Sequence, residues 1–172
     1  LEQMLYQLRE KGQRCGYTTA YPAWIQIEAF AAIHGLKKSG QRLANNHPAI
    51  IKHLTRLRRW QSEHLFEYGG RNNDATLLFT SGRCAFFSQS SGSLRGLQEI
   101  APFSVGVMPL PFDATIGQKR YANVVGGAAL WAITGQVPNH YRGIAQFFQF
   151  IITPERQSEW HLHTGYLPVS QK

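Results

Sequence analysis

Apolar and polar residues alternate along this chain with two different periods. Apolar positions at helical spacing predict helices over residues 2–11, over 22–34, from Pro48 to about Glu63, from Leu94 to Ile100, and from Pro138 and Pro154 onward. Short apolar runs predict strands at 14–18, 84–87 and 105–108. Strands that alternate with helices are typical of an α/β domain, and this is the fold class that the pattern predicts.

One segment, Ser88 to Leu97, joins a predicted strand to a predicted helix and is rich in serine. Ser90, Ser91 and Ser93 fall at the start of that helix, where unpaired backbone N–H groups and the positive end of the helix dipole favour a small anion. Gly92 would allow a ligand to approach the backbone. Serine is also an ordinary helix-capping residue, and these ten residues taken alone favour a cap without a ligand.

Two further features could contribute to a binding site. Tyr21 and Trp24 lie at a strand-to-helix turn, where aromatic rings can cover a ligand, although Trp24 packed into the core is the simpler interpretation. Gly126 and Gly127 separate two apolar runs and permit a close backbone approach. Their spacing does not match a dinucleotide-binding or Walker phosphate loop.

Composition and charge limit the classes of function. The chain has 172 residues, 43% of them hydrophobic, which suffices for one domain with its own core. No apolar run reaches the length of a membrane span. Its 18 basic and 10 acidic residues give a formal charge of +8, which attracts anions in general. The densest basic cluster, Lys52 to Arg59, lies mostly opposite the apolar face of its helix. A solvated helix face explains this cluster, and a basic surface- or nucleic-acid-binding module is the alternative.

The residues that could support catalysis or bind a metal do not form a recognisable site. No Gly-x-Ser-x-Gly motif is present, and an esterase acting through Ser91 is the least favoured function. His161 and His163 are two positions apart on a predicted helix and face different directions. Cys15 and Cys84 lack metal-ligand spacing and leave two states open, buried thiols and a disulfide. Binding without catalysis, metal or cofactor is therefore the favoured class.

Several motifs together resemble the periplasmic substrate-binding proteins of ABC importers. They recur in order along the chain: Cys15-Gly16-Tyr17, Trp24-Ile25-Gln26-Ile27-Glu28, Gly82-Arg83-Cys84-Ala85, Ser90-Ser91-Gly92-Ser93-Leu94, Gly126-Gly127-Ala128, Glu159-Trp160-His161 and Thr164-Gly165-Tyr166-Leu167-Pro168. The Gly-Tyr-Leu-Pro motif is shared by many solute-binding proteins, whereas the Trp-Ile-Gln and Ser-Ser-Gly-Ser segments are more specific.

The resemblance implies a two-lobed protein that closes on sn-glycerol-3-phosphate or a glycerophosphocholine-like diester in the periplasm and docks on a membrane permease, with no catalysis and no nucleic acid. Residues 1–172 would be a single α/β lobe, a fragment with a small central sheet flanked by helices. The partner lobe and the C-terminal segment, which carries an arginine that pairs with the phosphate, would be absent. We therefore expect the isolated chain to bind this ligand weakly or not at all.

The resemblance also implies a set of ligand contacts. Ser90 would hydrogen-bond the ligand with Ser91 beside it, Gly127 would offer a backbone contact, Tyr166 would reach the ligand through its hydroxyl, and Trp24 with Tyr21 would form an aromatic wall. Tyr21 stands where the family typically has tryptophan, which would weaken stacking on bulky diesters. Set among these positions, the serine segment favours ligand contact over a plain cap.

Overall fold

The computed structural model contains, among its described residues, a sheet of two parallel strands. β1 (Cys15–Thr19) pairs with β2 (Cys84–Ser88), and Thr19 lies opposite Ser88 at the carboxyl ends. Parallel neighbours require a long crossover, and helices occupy the chain between these two strands. The observed arrangement is the predicted one, a small sheet with helices.

The structure describes residues 1–36, 46–116, 135 and 137–168. Its helices, in chain order, are α1 (Glu2–Glu10), a π-helix (Ala23–Ala29) that continues into α2 (Phe30–Ile33), α3 (Pro48–Ser62), α4 (Thr76–Thr80), a 3-10 turn (Ser91–Ser93), α5 (Leu94–Ile100), α6 (Pro138–Ile151) and α7 (Pro154–Thr164).

The chain divides into two compact units. The first comprises Leu1–Gln89 and Ile100–Val125, and the second comprises Ser90–Glu99 and Gly126–Lys172. The principal core of the first unit joins side chains of α1, β1, α3 and the segment after α3: Leu5, Tyr17, Leu57, Trp60, Leu65 and Phe66. In the second unit, α6 and α7 contact each other.

A disulfide joins Cys15 to Cys84, which decides between the two states that the sequence left open. The two residues are register partners on adjacent strands, and their Cα atoms are 4.4 Å apart. Both cysteines are buried, with 1% of their surface exposed. The bond therefore ties the two strands together across 69 positions of sequence.

Three local predictions need correction. Residues 105–108 form no strand: Val107 and Met108 are 73% and 62% exposed, so the segment has no buried face to support one. The predicted helix over 22–34 exists, but its first part is wound as a π-helix. On α3 the buried stripe includes His53, which the sequence places in the basic cluster opposite the apolar face. Within the described ranges, no helix has the length and apolar character needed to cross a membrane.

Candidate functional site

Tyr21 and Trp24 follow the carboxyl end of β1, the edge where open parallel sheets usually bind ligands. Tyr21 has a positive φ of 41°, which is uncommon for a residue with a bulky side chain. Its ring meets the Trp24 ring edge to face, with centroids 6.3 Å apart. Tyr21 is exposed and Trp24 is half-buried, so this pair presents aromatic surface to solvent.

Backbone hydrogen bonds fix the chain around Tyr21. The Tyr21 N–H donates to the Asn72 carbonyl at 2.8 Å, and the preceding Ala20 N–H donates to the Ser88 carbonyl at 3.0 Å. The Tyr21 carbonyl accepts from the Ile25 N–H at 2.9 Å. Unfavourable backbone angles persist where the surroundings over-determine them, and these bonds supply that constraint.

Beneath the aromatic pair lies a buried relay of side-chain hydrogen bonds, which we call the Gln26 relay: Tyr17, Thr19, Gln26 and Ser88. The Gln26 amide donates to the Tyr17 hydroxyl at 2.5 Å and to Thr19 Oγ1 at 3.0 Å. The Tyr17 hydroxyl and Ser88 Oγ are 2.7 Å apart, and Ser88 Oγ donates to Thr19 Oγ1 at 2.8 Å. Thr19 Oγ1 donates to the Ala20 carbonyl at 2.9 Å. Burial raises the pKa of the Tyr17 hydroxyl, and the hydrogen bonds from its neighbours offset part of that effect.

His53 extends the relay into α3. Its Nε2 lies 3.1 Å from Gln26 Oε1, an oxygen that can only accept, so Nε2 carries the proton. The imidazole stacks on Phe30 with centroids 3.9 Å apart, and its buried Nδ1 has no partner among the described residues. Burial, followed by the charges of Arg56 and His34, lowers the pKa of His53 to about 4. The ring is therefore neutral at pH 7.

The serine segment and Tyr166 come together in the second unit. Ser90 precedes the 3-10 turn and its carbonyl accepts from the Ser93 N–H at 3.0 Å. The Tyr166 ring covers Gly92 so closely that a Cβ there would lie 2.3 Å from Tyr166 Cζ. A Cβ on Gly165, whose φ is 83°, would lie 2.5 Å from the Ser91 carbonyl oxygen. Gly165 is therefore required by its φ and by the close approach of the Ser91 backbone, whereas Gly92 makes room for the Tyr166 ring.

The end of α7 holds Tyr166 in place. Gly165 is the left-handed residue that ends this helix, a position at which glycine is favoured. His161 Nδ1 donates to the Tyr166 carbonyl at 2.7 Å, and the Tyr166 N–H donates to Thr164 Oγ1 at 3.2 Å. The Tyr166 side chain is 49% exposed. A ring held by its backbone and half open to solvent can offer a hydroxyl to a polar ligand.

The predicted site residues thus form two groups. Tyr21 and Trp24 meet in the first unit, and Tyr166 packs beside Ser91 in the second, where Ser90 also lies. Gly127 lies outside the described residues.

Sequence reasoning missed the structural roles of Gln26 and His53. A polar residue inside an otherwise apolar helical stripe, as in Trp-Ile-Gln-Ile, is the signal that could have revealed Gln26. The sequence places His53 in the basic cluster of its helix, but its side chain lies on the buried face.

The basic helix α3 is partly neutralised within the chain. Arg56 forms an ion pair with Asp113, and Arg59 forms one with Glu2. Burial raises the pKa of Asp113, but hydrogen bonds from Thr115 and Arg56 outweigh it and hold that pKa below its usual range. Two of the cations that a nucleic-acid surface would use are therefore already paired.

One cluster of donor atoms resembles a metal site in composition. The ligand atoms of Cys15, Glu67 and Cys84 lie within 4.8 Å of one another. The two sulfurs are joined in the disulfide, and Arg83 Nε donates to Glu67 at 2.7 Å. The disulfide removes the thiolates that a metal would require, so this cluster is structural.

Comparison with known proteins gives consistent results. The profile of a family described as bacterial extracellular solute-binding protein matches residues 2–172. The sn-glycerol-3-phosphate-binding periplasmic protein of Escherichia coli K12 is 36% identical over 174 residues, which cover 96% of this chain and 40% of that protein. The protein of the same name from Pectobacterium atrosepticum is 38% identical over 173 residues, 95% of this chain and 39% of that protein. The chain therefore spans about two fifths of the length of these relatives, and none of this supports a nucleic-acid-binding module.

Proposed function

The chain belongs to the family of bacterial extracellular solute-binding proteins, and on that premise we propose that it forms a ligand-binding lobe for sn-glycerol-3-phosphate and its diesters. The complete protein would act in the periplasm, deliver its ligand to the membrane permease of an ABC importer and carry out no chemistry on it. The residues proposed to contact the ligand are Ser90, Ser91, Gly127, Tyr166, Trp24 and Tyr21.

The packing of Tyr166 onto the serine segment is the observation that carries this proposal. Gly92 and Gly165 allow Tyr166 to approach the serine segment closely. The Tyr166 hydroxyl and several serines therefore lie near one another. Hydroxyl and N–H donors are suited to phosphate oxygens, because a phosphate presents only acceptors when ionised. The relatives named for sn-glycerol-3-phosphate make this ligand the first to test.

The aromatic pair Tyr21 and Trp24 supports the proposed binding of the glycerol carbons and of diesters. Tyr21 and Trp24 present rings that would pack against the glycerol carbons or the quaternary ammonium of a choline diester. Because Tyr21 has a smaller ring than tryptophan, we expect a monoester to be favoured over a bulky diester more strongly than in a protein with two tryptophans.

A chimera tests the proposal directly. In it, this chain replaces the matched segment of the Escherichia coli relative, and binding of sn-glycerol-3-phosphate and glycerophosphocholine is measured by titration calorimetry. We expect both ligands to bind and Trp24→Ala to weaken the diester about tenfold. Tyr166→Phe should weaken both ligands by roughly tenfold to a hundredfold, because one hydrogen bond to a charged group is lost.

Matched controls use aromatic residues that are exposed elsewhere. Trp160→Ala and Tyr68→Phe change residues that are 61% and 47% exposed, and they should leave the affinities unchanged. A folded chimera that binds neither ligand would refute the proposal. The isolated chain should bind weakly or not at all, and micromolar affinity for it would contradict the expectation that this part of the protein is insufficient by itself.

A further inference from the structure

We propose that Gln26 is a positioning residue, whose hydrogen bonds set the backbone and ring orientation of Tyr21 and Trp24. The inference rests on the proposed function for its consequence in binding, but its structural content concerns the chain alone. Gln26 is 6% exposed and does not belong to the exposed surface of the aromatic pair. Any effect on a ligand must therefore be transmitted through its neighbours.

The donor-to-acceptor direction of the hydrogen bonds in the Gln26 relay is the first argument. The Gln26 amide donates to the Tyr17 hydroxyl, which leaves the single proton of that hydroxyl to be donated to Ser88 Oγ. Ser88 in turn donates to Thr19 Oγ1, and Thr19 donates to the carbonyl of Ala20. Each hydroxyl has one proton and uses it for the next member. The relay therefore has one orientation, which starts at the Gln26 amide and ends on the peptide group before Tyr21.

The position of the relay's end is the second argument. The peptide that joins Ala20 to Tyr21 is held at its carbonyl by Thr19, while Asn72 holds the Tyr21 N–H. Tyr21 has the positive φ there, and such a backbone persists only where neighbouring bonds over-determine it. Without the Gln26 amide, the direction of the hydroxyl protons is no longer fixed, and Thr19 is not held as a donor to the Ala20 carbonyl. One of the bonds that hold the Tyr21 backbone is therefore weakened.

The π-helix supplies the third argument. The π-helix Ala23–Ala29 contains both Trp24 and Gln26. Such turns are rare in proteins, and those that exist are frequently found at functional sites. The two ends of the Gln26 side chain hold this turn on two sides, since the amide reaches β1 and β2 while Oε1 accepts from His53 on α3. Trp24 is two residues from this anchor, so its backbone is fixed with respect to the sheet.

Fluorine NMR of the chain labelled with 5-fluorotryptophan tests the structural content without any ligand. The Trp24 resonance is assigned by Trp24→Phe. We expect Gln26→Leu to shift or broaden the Trp24 resonance while the Trp60 and Trp160 resonances keep their positions. An unmoved Trp24 resonance in a folded Gln26→Leu protein would overturn the proposal.

Thr18→Val is the matched control. Thr18 lies on the same strand, is fully buried, and donates a hydrogen bond to the Glu67 carbonyl at 2.7 Å, outside the relay. Its loss should lower stability and leave the Trp24 resonance in place. If Gln26→Leu does not fold, Tyr17→Phe removes only the next hydroxyl of the relay, and it must move the same resonance for the proposal to stand.

A double-mutant cycle in the chimera tests the consequence for binding. Gln26→Leu should weaken glycerophosphocholine binding roughly tenfold, and the Gln26→Leu/Trp24→Ala double variant should bind no more weakly than Trp24→Ala. Additive losses would show that Gln26 does not act through Trp24, and the inference is refuted if Gln26→Leu also adds its full loss to that of a Tyr21→Ala/Trp24→Ala variant. If Trp24→Ala itself has no effect, the proposed aromatic contact fails, while the NMR result still decides whether Gln26 positions the rings.

Discussion

Acidification should destabilise the first unit through His53. The ring is neutral at pH 7, and burial, followed by the positive charge of Arg56, lowers its pKa from 6.5 to about 4. The groups that face it are Gln26, Arg56, His34 and Asp113. Protonation would place an N–H on Nδ1, which has no acceptor among the described residues.

The sign and size of the effect follow from linkage. The folded pKa lies below the unfolded value, so the unfolded chain binds more protons between about pH 6.5 and pH 4, and stability falls as pH falls through that window. Between about pH 7 and pH 4.5 the loss from this one ring amounts to roughly 2 kcal/mol. Asp113 adds its own loss only when pH approaches the ordinary aspartate range, because its folded pKa is depressed.

Urea unfolding at the two pH values, followed by circular dichroism, measures this loss. His53→Gln keeps an N–H that can donate to Gln26 but does not titrate, so the variant should lose about 2 kcal/mol less than the natural chain over the same interval. His64→Asn is the control, since His64 is exposed and asparagine tolerates its positive φ of 59°. Equal losses for the natural chain and His53→Gln would refute the assigned role of the buried ring.

Two further predictions concern backbone approach and the disulfide. Gly165→Ala should destabilise the chain by about 1 to 3 kcal/mol, because it combines an unfavourable φ with a clash against the Ser91 carbonyl. Gly143→Ala in the interior of α6 meets open space and should raise stability by about 0.5 to 1 kcal/mol, and thermal unfolding that ranks the two variants in the opposite order would contradict this. Reduction of the Cys15–Cys84 disulfide should cost about 2 to 4 kcal/mol, and an unchanged urea midpoint after complete reduction would disprove it.

The elements that the sequence predicted well are those with strong local signals. Pro48 stands in the first turn of α3, and His47 caps it by accepting from the Ala49 N–H at 3.2 Å. Pro154 begins α7, as the sequence predicts. The hydroxyl of the preceding Thr153 donates to the Phe150 carbonyl and does not cap the helix. These signals act within a few residues, so they can be recognised without knowledge of the fold.

Features that depend on distant neighbours could not be predicted in the same way. The disulfide required the parallel register that sets Cys15 opposite Cys84. Residues 105–108 have a strand-like pattern but no buried face. The Gln26 relay required two strands and a helix to bring four polar side chains together. The sequence contained each residue type but not the contact that gives it a role.

Variants of the Gln26 relay can distinguish an effect on the stability of the fold from an effect on the orientation of the Tyr21 and Trp24 rings. Removal of one partner from a buried hydrogen bond costs about 1 to 3 kcal/mol, because the group left behind is buried without a partner. Gln26→Leu leaves the His53 Nε2–H unpaired and Thr18→Val leaves the Glu67 carbonyl unpaired, so both variants should lower the unfolding free energy, but only Gln26→Leu should release the Tyr21 backbone. Ligand binding by Tyr21 and Trp24 depends on the orientation of their rings. The Trp24 fluorine resonance reports that orientation and urea unfolding reports the free energy of unfolding, so the two variants separate the two effects.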